Sequence, residues 1–255
     1  MKQSLIRKNK SQYNQIGSMV DFKSKTKRFF KDAQTVEIGN FFQVELDGNP
    51  LVTPEKRLLK LSTRKLADAI CNEWREQREK IDAKSLKITQ LANTATDKVG
   101  PKLNELVSEV PTYVNTDLLC YRANTPEDLA IQQNKRWSIP VNWLRTTHEI
   151  DLAVTQALQP IEQSAEALTK LKALIACYDA FQFSGLLSIT SLTGSIVLAI
   201  SLTEGFLDVE QVYEMAFLDE IYQESRWGTD HEANSRREYI REEIQQTKYF
   251  IQLLN

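Results

Sequence analysis

Between Gly185 and Leu202 the chain reads GLLSITSLTGSIVLAISL, eighteen residues without a charge. Such a run must leave water, and a bilayer span needs ~20 apolar residues. Ser188, Thr190, Ser191, Thr193, Ser195 and Ser201 dilute it with hydroxyls, and no second run accompanies it. The run therefore predicts one buried core helix, with a membrane-associated subunit as the weaker alternative. A chain of 255 residues is long enough to surround it with one large domain or two modest ones.

The rest of the chain predicts an α+β fold: a small N-terminal antiparallel-sheet-plus-helix domain over residues 27–110, then a larger all-helical domain over 111–255. Val36, Ile38, Phe42, Val44 and Leu46 stand at even positions among polar neighbours, the period of half-buried strands. Asp47-Gly48 supplies a tight hairpin turn, and Leu51–Thr53, bounded by Pro50 and Pro54, begins the return strand. Ser62 or Thr63 then caps a helix carrying Leu66, Ile70, Trp74 and Gln77, with the Trp74 indole N–H requiring one polar partner. Leu91, Ala95 and Val99 form one stripe, and Leu103, Leu106, Val107 and Val110 another.

Beyond Arg122 the pattern is helical. Thr125-Pro126-Glu127-Asp128 reads as a start signal: capping hydroxyl, proline at the first helical position, then acids at the positive helix end. Pro140 interrupts or kinks the next stretch, and Pro160 opens a helix with Leu168, Leu171, Leu174 and Ile175. Gly205 ends the apolar run. Asp208 caps a helix striped by Val209, Val212, Tyr213, Ala216 and Phe217. The last helix, from about His231 to Leu254, is charged on every side until Tyr249-Phe250, a solvated face.

Charge is nearly balanced, 32 basic against 34 acidic residues, so no overall field points to nucleic acid. Locally it is uneven. Lys2–Lys31 holds nine Lys or Arg against Asp21 alone, and Asp208–Glu243 is mainly acidic. Residues 1–26 read as a disordered basic tail, with an organelle-targeting segment as the alternative. Cys71, Cys120 and Cys177 are an odd number at wide spacings, which fits a reducing compartment.

Thr116–Arg122 (TDLLCYR) sets Asp117 and Arg122 on either side of an apolar run. Burying either charge demands partners, so the two pair with each other or with groups elsewhere. The segment reads as a structural clamp or as a partner-binding or catalytic acid. Familiar catalytic constellations are missing. The sequence holds no GxGxxG, Gly-Lys-Ser/Thr, GxSxG, HExxH or CxxC motif. With His148 and His231 as the only histidines, general-base chemistry would rest on a carboxylate such as Asp117 or Glu220.

Seven blocks stand in one order: LDGNPLVTP (Leu46–Pro54), EWREQ (Glu73–Gln77), LANTATD (Leu91–Asp97), TDLLCYR, GSIVLAISL (Gly194–Leu202), LDEIYQ (Leu218–Gln223) and WGTDHEA (Trp227–Ala233). Together, over roughly Lys27–Ala233, they resemble the assembly chaperones of the F-type ATP synthase catalytic head that hold its alpha subunit. The resemblance implies a non-enzyme without cofactor or metal, monomeric when free and without stable membrane insertion. It would bind the free alpha subunit and shield the surface that later meets a beta subunit. The compartment implied is a mitochondrial matrix or an alpha-proteobacterial cytoplasm. The motif positions carried over are Trp74, Asp117, Arg122 and Gly194 as structural residues, and Glu220, Gln223 and Trp227 as partner-binding ones. Glu220 is the expected functional acid. One departure stands out: the family's Trp-Asp-Pro-Leu-Leu-Asp-Trp segment is WSIPVNW here (Trp137–Trp143), with the proline shifted and both acids gone. A carboxylate-dependent enzyme with its site near Asp117 and Arg122 is the alternative reading.

Overall fold

A computed structural model describes residues 27–157 and 159–255; the expected basic tail, residues 1–26, lies outside them. The architecture is α+β. A three-stranded antiparallel sheet, in the order β1 (Ala33–Ile38), β2 (Phe41–Leu46), β3 (Asn49–Pro50), comes first. It is followed by α1 (Arg64–Arg75), α2 (Lys87–Thr94), α3 (Leu103–Glu109), α4 (Glu127–His148) and α5 (Ala165–Ile175). Then come α6 (Ala180–Thr193), α7 (Ile196–Thr203), α8 (Val209–Ala216), α9 (Leu218–Trp227) and α10 (His231–Gln252). The described residues group into two compact units. One, the sheet unit, comprises 27–103, 179–185 and 246–255; the other, the helical unit, comprises 104–178 and 186–245.

In the sheet unit, Asp47 (φ 50°) and Gly48 (φ 79°) make the two-residue turn that the Asp-Gly pair predicts. The return strand is Asn49–Pro50, two residues earlier than the expected Leu51–Thr53. Val36 and Ile38 are not core residues. Thr35 pairs with Val44 and Ala33 with Leu46, and cross-strand partners share a face. Burial of Val44 and Leu46 therefore turns Ala33 inward and leaves Ile38 exposed.

Thr63 Oγ1 caps α1 by accepting from Leu66 N (3.1 Å), and Leu66, Ile70 and Trp74 form its buried stripe. Gln77 lies past the helix end, where its amide gathers the following loop: Nε2 donates to Glu73 O and Ser85 Oγ, and Oε1 accepts from Asp82 N. Glu73 supplies the cap that α2 lacks in its own sequence. Its carboxylate accepts from Ile88 N (2.7 Å), Thr89 N (2.8 Å) and Thr89 Oγ1 (2.7 Å). The helix of the LANTATD block gives way after Thr94 to a wider turn, Ala95–Val99. That turn carries a buried Asp97 onto Thr53 Oγ1 (2.6 Å) and Glu55 N (3.2 Å).

In the helical unit, Pro126 (ψ 153°) is itself the cap residue of α4, and Thr125 makes no capping bond. The helix runs unbroken past Pro140, because a run of 22 residues with a buried stripe tolerates one lost hydrogen bond. α5 starts at Ala165 under a Ser164 cap, five residues beyond Pro160. Asp208 caps α8 reciprocally with Gln211. Met215 joins Val212 and Phe217 in its core-facing set, while Tyr213 and Ala216 are half-buried.

The apolar run 185–202 is two helices, not one. α6 ends at Thr193, Gly194 takes φ 74°, and α7 begins under a Ser195 cap. No helix of the described residues is long and apolar enough to cross a membrane. At the start of the run, Gly185 in the sheet unit sits against the C-terminal helix. A Cβ there would fall 2.7 Å from Ile251 Cγ1 and 2.9 Å from its Cδ1. Gly185→Ala is expected to cost ~1–3 kcal/mol through overpacking, read as a lowered urea midpoint with an unchanged m-value.

Candidate functional site

A buried carboxylate ties the TDLLCYR block to the break between α6 and α7. Gly194 O accepts from Leu118 N (3.1 Å), a geometry reached through the positive φ that glycine adopts without strain. Ser195 Oγ caps α7 by accepting from Leu198 N (3.0 Å) and donates to Asp117 (2.8 Å to Oδ1). Asp117 also accepts from Leu119 N (3.0 Å) and from Val197 N (3.1 Å) in the first turn of α7. The side chain is 1% exposed. Burial pushes its pKa up to about 6, against hydrogen bonds from Leu119, Val197, Ser195 and Ile196 that hold it down.

Asp117 and Arg122 do not pair. The Arg122 guanidinium turns to α4, where Nη1 donates to Asn134 Oδ1 (2.7 Å) and Ser138 Oγ (2.8 Å). Two hydrogen bonds from the same block hold the backbone at residues 155 and 161. Arg122 N donates to Thr155 O (2.8 Å), and Tyr121 OH accepts from Ile161 N (3.1 Å). Cys120 is buried, and burial pushes its thiol well up, the opposite of an activated nucleophile. In the sheet unit, Trp74 is buried edge-on to Phe30 (5.7 Å). Its Nε1 finds no hydrogen-bond partner among the described residues, contrary to expectation.

The outward chemistry lies on α9. Glu220, Gln223 and Trp227 follow at i, i+3 and i+7, one face of a helix. Trp227 is 78% exposed and Gln223 is exposed. Glu220 is partly covered by a two-oxygen contact from Arg236 Nη2 (2.8 and 3.0 Å). The inner side of α9 is fixed to α4: Tyr222 OH donates to Asp128 Oδ1 (2.7 Å), Arg226 pairs with Asp128, and Gln133 bonds Asp219. Gly228 (φ 92°) ends α9 directly after Trp227, and Asp230 starts α10 by accepting from Glu232 N and Ala233 N.

The charged face expected of α10 is only partly solvated. Arg237 is 4% exposed, paired with Glu224 and 3.8 Å from Glu220. Its burial escaped the sequence pattern because both partners lie on another helix, although two adjacent arginines opposite the LDEIYQ acids were a signal for it.

The matching family model, over residues 27–145, is that of the ATP12 chaperone protein. The solved Atp12 of Paracoccus denitrificans is 32% identical, with TM-score 0.85, covering 90% of this chain and 98% of its own. The chain belongs to the ATP12 chaperone family. The mitochondrial atp12 protein of Schizosaccharomyces pombe is 24% identical over 225 residues, 82% of this chain and 76% of that protein. The Atu1473 protein of Agrobacterium tumefaciens is 28% identical, covers 99% of this chain and 98% of its own, and has TM-score 0.86. The family's role is assembly of the ATP synthase, as the ordered motifs imply.

In this chain Asp117 is bound into the fold by Leu119 N, Ser195 Oγ and Val197 N, and its stability contribution is expected to depend on pH. Asp117→Ala leaves the buried N–H groups of Leu119 and Val197 and the Ser195 hydroxyl without their acceptor, an expected loss of at least ~3 kcal/mol in chemical denaturation. The native carboxyl binds its proton more tightly (about 6 against an ordinary 3.8). Between those two pH values the folded state holds more protons than the unfolded one, so Asp117's contribution to stability falls as pH rises and is flat on either side. Comparing the pH-stability curves of wild type and Asp117→Asn checks the sign.

Proposed function

We propose that this chaperone binds the free alpha subunit of the F-type ATP synthase head and covers the surface that later meets a beta subunit. It would work in a mitochondrial matrix or an alpha-proteobacterial cytoplasm, the settings of its relatives. The observation that carries the reading is Trp227. A tryptophan 78% in water, at the end of a helix whose other side is anchored to α4, is a large apolar group kept for a partner. Gln223 and Glu220 give the same face a polar rim.

The charge around it favours a basic client surface. Asp208–Glu243 contains eleven acids and four arginines, a net of −7 (4 − 11). Each arginine is already engaged: Arg226 with Asp128, Arg236 with Glu220, Arg237 with Glu224, Arg241 with Glu210 and Glu238. An approaching client therefore meets surplus negative charge, which acts on encounter rate more than on affinity. The enzymatic alternative needs an accessible carboxylate near Arg122, and Asp117 is sealed and fully engaged.

Mixing the purified protein with isolated alpha subunit is expected to yield a complex and to suppress alpha-subunit aggregation in light scattering; absence of both would overturn the reading. Trp227→Ala should weaken that complex by ~2 kcal/mol or more while shifting stability by less than ~0.5 kcal/mol. A large fall in melting temperature would instead make Trp227 a packing residue.

A further inference from the structure

Arg122 is a buried cation without a counter-charge among the described residues. It is 6% exposed, yet its hydrogen-bond acceptors are all neutral: Asn134 Oδ1, Ser138 Oγ and, at 3.4 Å, Leu119 O. No carboxylate among the described residues lies within ion-pairing distance, and Nη2 has no hydrogen-bond partner among them. A guanidinium presents five donors in a planar fork suited to two carboxylate oxygens, and here one arm of that fork is unused. The nearby acid that sequence spacing would pair with it, Asp117, is held by Ser195, Leu119 and Val197 instead. Burial disfavours the charged form of Arg122, and no carboxylate among the described residues pairs with it to offset that cost.

The surroundings say what kind of anion fits. Asn134 and Ser138, four residues apart on α4, hold one guanidinium nitrogen between them. Ile131, one turn before Asn134, is 59% exposed, and Ile139, next to Ser138, is exposed too. A solvated phosphate gains nothing from these isoleucines, whereas an acidic side chain within an apolar segment matches both the fork and the flanking side chains.

We propose that Arg122 and the Ile131–Ile139 face of α4 form a docking site for a client glutamate or aspartate flanked by apolar residues. This rests on the reading of the protein as a chaperone with a polypeptide client, and it adds an anionic anchor to a client surface that is basic elsewhere. Arg122 is then held in place by Asn134 and Ser138 and left uncompensated until the client supplies the missing charge.

The test uses the full chain labelled with ¹⁵N-arginine, the Arg122 Nε–Hε peak being assigned by its disappearance in Arg122→Lys. Titration with an acetylated, amidated Leu/Glu peptide should shift that peak, and the matching Leu/Gln peptide should not. Equal responses, or none, overturn the proposal whatever the alpha subunit does. In a second arm, Arg122→Gln should bind isolated alpha subunit about tenfold more weakly with an unchanged or higher melting temperature. A lower melting temperature with unchanged affinity would make Arg122 a structural residue and overturn the proposal. If wild-type protein fails to bind alpha subunit, the client reading fails, and the peptide titration alone decides the carboxylate site.

Discussion

The helical unit depends on one carboxylate. α7 is wholly apolar apart from Ser201 and Thr203, and its first-turn N–H groups need acceptors away from water. Ser195 supplies one. Asp117, drawn from far back in the chain, supplies the other and simultaneously closes the turn at Leu119. The positive end of α7 favours the negative charge that its burial disfavours. The same fixation sends Arg122 the other way, toward α4, so the two charges of one short motif serve different neighbours.

The charged C-terminal helices use their arginines as internal ties. Arg237, nearly out of solvent, spans from α10 to Glu224 on α9, while Arg236 beside it reaches Glu220 at the surface. Exposed pairs of this kind contribute little individually, typically below ~1 kcal/mol. A buried one is costly to break from one side, because the surviving charge loses its partner. Glu220 is therefore not an isolated acid. Its carboxylate is held by Arg236, which sets the direction from which anything else can approach it.

Local chemistry was legible in the sequence wherever one residue decides one turn. The Asp47-Gly48 hairpin, the Thr63 cap, the Asp208 cap and the Gly205 stop each follow from a φ angle or a single side-chain bond. What escaped was set by partners far along the chain. The division of the apolar run at Gly194 depends on Asp117, 78 positions before Ser195, and the start of α2 depends on Glu73. Period two correctly marked β1 and β2 as strands, yet it assigned Val36 and Ile38 to the wrong face of β1, because β2's register decides which face meets the core. Of the candidate site, the motif series named Gln223 and Trp227, while their exposure came from the fold. The separation of Asp117 from Arg122 required the fold.

The four tryptophans stand in graded surroundings. Trp74 and Trp137 are sealed, Trp143 is half covered and stacks on Phe206 at 4.6 Å, and Trp227 stands in water. The molecule thus carries a built-in optical gauge. Its long-wavelength emission is expected to come mainly from the indole at the tip of α9, with a smaller share from the half-covered Trp143. Whatever settles on that tip announces itself as a blue shift, without any dye attached.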